Sequence, residues 1–173
     1  MLDRFRTGLE RVLAIVSIGL MAALAILVVA AVISRKLGSS FTWYDEVASV
    51  MLAWITYYGA ALAALKRAHL GFPNLVATLP PGLRLPLVLL AEGLVIFFFV
   101  MVTWSGYQVV EILRGDTLTS LPWVPVRFTQ SVIPIGGALF IVAELLTVPE
   151  RLSEARHGAP AADPDRVLEG VEK

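Results

Sequence analysis

The sequence predicts an all-α integral membrane protein with four transmembrane helices. Of its 173 residues, 57% are hydrophobic and 16% are charged, whereas soluble domains carry roughly 45–50% apolar and about 25% charged residues. Its mean hydropathy is +0.77. The apolar residues form long runs without charge, and the core of a soluble domain of this size could not bury them.

The spacing between charged residues gives the position of each helix. Arg11 and Arg35 bracket a charge-free run that spans roughly 36 Å as a helix, enough to cross a hydrocarbon core of about 30 Å. Three further intervals each span roughly 26–30 Å on the same measure, and they are Glu46–Lys66, Glu92–Glu111 and Arg127–Glu144. The predicted spans lie near 12–34, 47–65, 86–111 and 127–148, in one membrane domain over 1–149.

Two other structures for these apolar segments fit less well. Barrel strands alternate apolar and polar residues over about ten positions, and these segments do not alternate. The first segment is also longer than the 7–15 apolar residues of a cleavable signal peptide. We therefore expect it to remain in the mature protein as an anchor.

The distribution of lysine and arginine predicts the orientation. Ten of these residues fall in the termini and the loop 66–84, and four fall on the other side, three in the loops 35–46 and 112–126 and one directly after them at Arg127. The positive-inside rule places both termini and the loop 66–84 in the cytoplasm. Prolines at both ends of the stretch 72–81 suggest a short helix on the cytoplasmic membrane surface. Residues 150–173 have no apolar periodicity and are predicted to form a mobile cytoplasmic tail.

The composition excludes most catalytic chemistry. The chain has no cysteine, two histidines and equal numbers of acidic and basic residues, so thiolate chemistry and a basic nucleic-acid surface are not expected. No nucleophile or metal motif is present. We expect no enzyme activity, metal or cofactor. A small multidrug exporter is disfavoured because the first span lacks a carboxylate, and a membrane cytochrome because both histidines lie outside the spans.

Five ionisable residues near the cytoplasmic ends of the spans are candidates for ion pairs or contacts between subunits, and they are Lys66, Arg67, His69, Glu92 and Glu144. Intramembrane ionisable groups often mark functional sites. Glu92 and Glu144, however, each mark the predicted edge of a span. An interfacial carboxylate or a helix–helix ion pair is the favoured interpretation, and an ion relay or a contact with a partner subunit stays open.

The second span carries a face of aromatic and small residues, and these are Trp54, Tyr57, Tyr58, Gly59, Ala60 and Ala64. Small residues let helix backbones approach closely, and the three aromatics lie at i, i+3 and i+4. The spacing predicts a packed interface, either inside this chain or against another one.

Several short motifs occur in a specific order. They are Trp43-Tyr44-Asp45-Glu46, Trp54, Gly59-Ala60-Ala61, Lys66-Arg67-Ala68-His69, Leu79-Pro80, Ser120-Leu121-Pro122 and Ile133-Pro134-Ile135-Gly136. With four spans, this order resembles the small permease subunit of tripartite ATP-independent periplasmic (TRAP) transporters, the DctQ-like family, over roughly residues 10–150. Phe72-Pro73-Asn74 departs from the family pattern after the histidine.

The resemblance implies a subunit of a secondary transporter in the bacterial inner membrane, in contact with membrane lipids. A periplasmic binding protein would deliver an organic acid to a large permease subunit, which would hold the sodium ions. This chain would scaffold the large subunit through the aromatic and small-residue face. A membrane scaffold or assembly protein without a transport role is the alternative.

The resemblance also implies a docking surface for the binding protein on the two outward loops. The candidate residues are Arg35, Lys36, Trp43, Asp45, Glu46, Arg114, Asp116 and Trp123. Two simpler roles stay open here, because tryptophans also anchor helices at the headgroup level and carboxylates favour helix N-termini.

Overall fold

The computed structural model describes residues 2–66 and 81–157. Its helices are α1 (Leu2–Lys36), α2 (Tyr44–Leu65), α3 (Pro81–Ile112), α4 (Val126–Gln130) and α5 (Val132–His157). Four stretches are long and apolar enough to cross a membrane, and they are Arg4–Lys36, Tyr44–Leu65, Leu83–Ile112 and Val126–Glu150. The prediction of an all-α protein with four such helices is confirmed.

The helices are longer than the predicted spans. α1 begins at Leu2 rather than near residue 12, and α5 runs to His157, beyond the predicted end of the membrane domain at 149. Hydropathy marks where a helix leaves the hydrocarbon, whereas the adjoining Leu, Arg, Glu and Ala residues favour helix in water as well. Positions 72–80 of the predicted surface helix lie outside the described residues, and so does the tail from 158 onward.

The fourth span is divided near its start. α4 ends at Gln130, Ser131 forms a turn, and α5 begins at Val132. Pro134 explains the break, because it has no backbone N–H to donate to the carbonyl of Gln130, four residues earlier. As the third residue of α5, Pro134 lies in a first turn, where a missing N–H costs little.

The helices pack in the order α1, α2, α5, α3, so the last helix of the chain lies between the second and third. Within its most apolar stretch, Val126–Glu150 buries 39% of the residues, whereas the corresponding stretches of α1 and α3 bury 6%. α5 therefore forms the centre of the protein, and α1 and α3 are its outer helices.

α5 contacts its two neighbours through one aromatic stack and through two glycines that allow a close approach. Phe140 stacks on Phe99 of α3 with ring centroids 3.6 Å apart. A Cβ atom at Gly136 would lie 2.6 Å from Cβ of Tyr57 in α2, and one at Gly137 would lie 2.5 Å from Oγ1 of Thr103 in α3. Because real Cβ contacts are longer than this, a side chain at Gly136 would push α2 and α5 apart, and one at Gly137 would displace at least the Thr103 hydroxyl.

Candidate functional site

A clamp of polar contacts joins three helices at the end of the protein that carries the N-terminus. Nη1 of Arg6 in α1 donates to Oε1 of Glu150 in α5 at 2.7 Å, and Nη2 donates to the carbonyl of Leu65 in α2 at 3.1 Å. Beside it, Nζ of Lys66 lies 3.4 Å from Oε1 of Glu10. Arg6 was not among the predicted site residues, although its position one helical turn before the buried stripe of α1 was a usable signal.

A second clamp joins the other ends of the helices. The Glu46 carboxylate, in the first turn of α2, accepts the backbone N–H of Thr119 at 2.9 Å and that of Ser120 at 2.8 Å. The Ser120 hydroxyl also donates to the carbonyl of Thr42 at 3.4 Å. Two hydrogen bonds to one carboxylate fix the distance and the angle between α2 and the loop that follows α3.

That loop, residues 113–125, has its own backbone order. Thr117 pairs with Pro125 in an antiparallel bridge, and Leu118 donates to the carbonyl of Val124 at 3.0 Å. Gly115 has a φ of +100° at the end of α3, a conformation that is costly for residues with a side chain. The loop is therefore a short hairpin, held by Glu46 close to its tip.

The predicted docking residues all lie at this end of the helices, but their surroundings differ. The Glu46 carboxylate is occupied by its hydrogen bonds to Thr119 and Ser120. Trp43 is half-buried, and its ring stacks on that of Phe41 with centroids 5.3 Å apart. Trp123 is 76% exposed at the hairpin. The remaining predicted docking residues are exposed, and they are Arg35, Lys36, Asp45, Arg114 and Asp116. Their contact with a binding protein remains a prediction.

Arg114 is the docking candidate with an ion-pair partner among the described residues. Its Nη2 lies 2.7 Å from Oε1 of Glu111, one turn earlier. Both side chains are substantially exposed, so the pair contributes little to stability. It holds the guanidinium beside the end of α3 and reduces its net positive field.

Most of the predicted packing face of α2 contacts α4 and α5 of the same chain. Nε1 of Trp54 donates to the carbonyl of Thr129 at 3.0 Å, and its ring packs against Phe128 with centroids 5.2 Å apart. Tyr57 lies against Gly136, as described above.

The remaining residues of that face divide into core and open positions. Ala64 is fully buried in the hydrophobic core, and Tyr58 and Ala60 pack at the edge of that core. Gly59 has no atom within 4 Å of the place where its Cβ would be. Contact of this face with a partner subunit stays a prediction, and Gly59 has space for it.

The two carboxylates within the spans are buried by helix packing. Glu144 is fully buried in α5, and Glu92 is 7% exposed in α3. α3 and α5 are antiparallel, and the Phe99–Phe140 contact sets a register that puts Glu92 level with Thr147, about one turn from Glu144. Both carboxylates thus belong to one layer of the interface between α3 and α5.

That this layer lies near one membrane edge stays a prediction, and it assumes that Ile112 and Val126 mark the other edge. Counted from Ile112, Glu92 lies roughly 30 Å along α3, and Glu144 lies roughly 27 Å beyond Val126. These lengths are close to the hydrocarbon thickness of about 30 Å. Of the predicted basic partners, Lys66 pairs with Glu10, and Arg67 and His69 lie outside the described residues.

We expect the substitutions Glu92→Gln and Glu144→Gln to leave substrate uptake within about threefold of the unmodified protein, because glutamine preserves the packing at the edge of the span. The measurement is uptake at several sodium concentrations in vesicles that contain the assembled complex. A variant that assembles normally but loses its dependence on sodium would show that a carboxylate of this chain carries the coupling ion.

Within residues 2–66 and 81–157, no group of three or more His, Asp or Glu side chains is arranged to hold a metal ion. The layout is a helical bundle with a clamp at each end. Its distinguishing surface is the hairpin of residues 113–125, with the ends of α1 and α3 and the start of α2 beside it.

The comparison with protein families gives a match. The profile described as "Tripartite ATP-independent periplasmic transporters, DctQ component" matches residues 24–154, which is about three quarters of the chain and includes both the Glu46 clamp and α5. A comparison with curated proteins found no match. This match confirms the resemblance noted in the sequence. The chain is a multi-pass membrane protein and a transporter component rather than an enzyme, and it belongs to the DctQ family of small TRAP transporter subunits.

Proposed function

We propose that this chain scaffolds the large permease subunit of a TRAP transporter in the bacterial inner membrane and helps to receive a substrate-loaded periplasmic binding protein. The transported substrate is an organic acid, and its uptake is driven by sodium ions held in the large subunit. The family match over residues 24–154 is the observation that carries this proposal.

The construction of the outer end supports a receiving role. Two backbone hydrogen bonds to Glu46 hold the hairpin, and exposed Trp123 projects from it. A surface that is ordered before its partner arrives loses less conformational entropy on binding. Exposed Arg35, Lys36 and Asp116 supply charges that affect mainly the encounter rate and the orientation of a transient partner.

Charge reversal at the outer end tests the docking role. We expect Lys36→Glu to raise the binding-protein concentration needed for half-maximal uptake by about fivefold at low salt, and by less at high salt because exposed charges are screened. Arg114→Glu should act in the same direction. The measurement is uptake by liposomes that hold both membrane subunits, titrated with loaded binding protein at two ionic strengths.

Ser153→Glu provides the control, because it adds a negative charge at an exposed position on the opposite end of the helices. This variant should titrate like the unmodified protein. If Lys36→Glu and Arg114→Glu also titrate like the unmodified protein at both ionic strengths, the outer charges have no part in docking.

The proposed orientation, with both termini in the cytoplasm, has a separate test. The chain has no cysteine, so a single introduced thiol can be labelled without background. We expect Ser40→Cys to react with an impermeant maleimide in intact spheroplasts and Ser153→Cys to react only after lysis. The reverse pattern would overturn the orientation and, with it, the assignment of the hairpin to the periplasmic side.

A further inference from the structure

The first turns of α1 have two faces with different chemistry. One face is used within the protein, where Arg6 pairs with Glu150 and Glu10 pairs with Lys66. The other face carries Arg4 and Arg11, which are exposed. Neither has an ion-pair partner among the residues whose side chains the structure describes. Two positive charges therefore remain available on the exposed face of α1.

These two arginines border a groove. Arg4, Thr7, Gly8 and Arg11 line an open depression of about 370 Å³, and positions 4, 8 and 11 lie on one face of the helix because they are spaced by four and three residues. Gly8 is one of the lining residues, and a Cβ atom there would have no atom within 4 Å. Along the helix, Arg4 and Arg11 lie about one turn on either side of Gly8.

The same face continues as an apolar surface toward the middle of the membrane. Continuing in steps of three and four residues from Arg11 leads along exposed apolar side chains, and these are Ile15 (64% exposed), Ile18 (68%), Ile26 (70%) and Val29 (58%). A cationic groove at the end of a hydrocarbon-facing strip matches the two parts of a phospholipid, whose phosphate lies at the headgroup level and whose acyl chains lie below it.

We propose that Arg4, Gly8 and Arg11 form a binding site for the phosphate of an anionic phospholipid, with the acyl chains lying along Ile15 and Ile18. Arginine suits this ligand because its planar donors bind phosphate oxygens in pairs. Gly8 lets the headgroup approach the helix backbone. The site lies outside the contacts that hold the helices together, and it does not depend on the proposed transport function or on the orientation of the chain.

The test is native mass spectrometry of the full chain titrated with phosphatidylglycerol and, separately, with phosphatidylcholine. We expect tighter binding of phosphatidylglycerol to the unmodified chain. The double variant Arg4→Gln/Arg11→Gln should weaken that binding by about twenty-five-fold, because each arginine near the membrane surface contributes a factor of about five. Binding of phosphatidylcholine should change by much less.

Two further variants separate the site from general electrostatics. Arg35→Gln/Lys36→Gln removes the same charge from the other end of α1 and should retain preferential binding of phosphatidylglycerol. Gly8→Leu keeps both arginines but fills the groove, and it should weaken the binding although the structure has space for the new side chain. Equal loss in the two double variants, or unchanged binding in Gly8→Leu, would overturn a defined site.

A soluble phosphate and a partner protein, as alternative occupants of this face, would give different outcomes. If free glycerol phosphate at millimolar concentration displaces the lipid as efficiently from the unmodified chain as a second phospholipid does, the site recognises a soluble phosphate and the lipid assignment is wrong. If Arg4→Gln/Arg11→Gln leaves lipid binding unchanged but abolishes co-purification with the large subunit, the face is a protein contact and the proposal fails.

Discussion

Gly136→Ala is expected to lower the free energy of unfolding by about 2 kcal/mol, within the range of about 1–3 kcal/mol typical of overpacked sites. The new Cβ would lie 2.6 Å from Cβ of Tyr57 and 3.1 Å from the first carbons of its ring. These atoms are close to the α2 backbone, so a change of rotamer cannot move all of them away. α2 and α5 must separate, and the Trp54–Thr129 hydrogen bond would lengthen with them.

The measurement is thermal or denaturant unfolding of the purified protein in detergent. Gly93→Ala is the matched control, because it also lies within a transmembrane helix but has no atom within 4 Å of the new Cβ. Alanine is the better helix former by about 1 kcal/mol, so Gly93→Ala should be neutral or stabilising. Equal stabilities of the two variants would show that α2 and α5 are not in the close contact described here.

Glu46→Ala is expected to release the hairpin of residues 113–125. The substitution removes both acceptors of the Thr119 and Ser120 amides, and no other hydrogen bond to these two amides occurs within the described residues. Their hydrogen exchange should become faster by on the order of tenfold or more, because local opening then needs less free energy. Binding-protein-dependent uptake should fall with it, since the proposed docking surface is no longer ordered in advance.

Asp45→Ala is the control for Glu46→Ala. Asp45 is in the same helical turn and also carries a carboxylate, but its described hydrogen bond uses the backbone carbonyl, which accepts from Ser49. The substitution therefore removes a charge and leaves the hairpin held. Hydrogen exchange followed by mass spectrometry over residues 116–124 distinguishes the two variants, and similar exchange in both would mean that Glu46 does not hold the hairpin.

The number, approximate place and apolar character of the four transmembrane helices could be predicted from sequence, because hydrocarbon imposes a minimum length and excludes charge over that length. The residues at which the helices begin and end could not be predicted in this way. The segments around Arg6 and Glu150 lie outside the charge-free intervals from which the spans were predicted, yet they continue α1 and α5. Hydropathy reports the surrounding solvent, whereas helix length also depends on contacts such as the Arg6–Glu150 pair.

The sequence also does not show which helices pack against each other. Pro134, Gly136 and Gly137 suggest an interruption of the fourth span, and the break before α5 agrees with this. Their positions do not show that Gly136 faces α2 while Gly137 faces α3. That assignment depends on α5 being the central helix, which is a property of the whole assembly of helices rather than of one segment.

Glu46 shows why a candidate site is harder to predict than a fold. Its position in the first turn of α2 is sufficient reason for a carboxylate, since the helix dipole favours negative charge there. Its hydrogen bonds join it to residues more than seventy positions later. No local pattern contains that pairing, although Glu46 and Ser120 each lie in one of the motifs noted in the sequence.

We expect this chain to support transport without performing it, and uptake by proteoliposomes measures this. Liposomes holding this chain alone, this chain with the large subunit, or the large subunit alone would receive loaded binding protein and an inward sodium gradient. Uptake should occur only when both membrane subunits are present. Sodium-driven uptake by liposomes that contain this chain alone would show that it performs transport by itself.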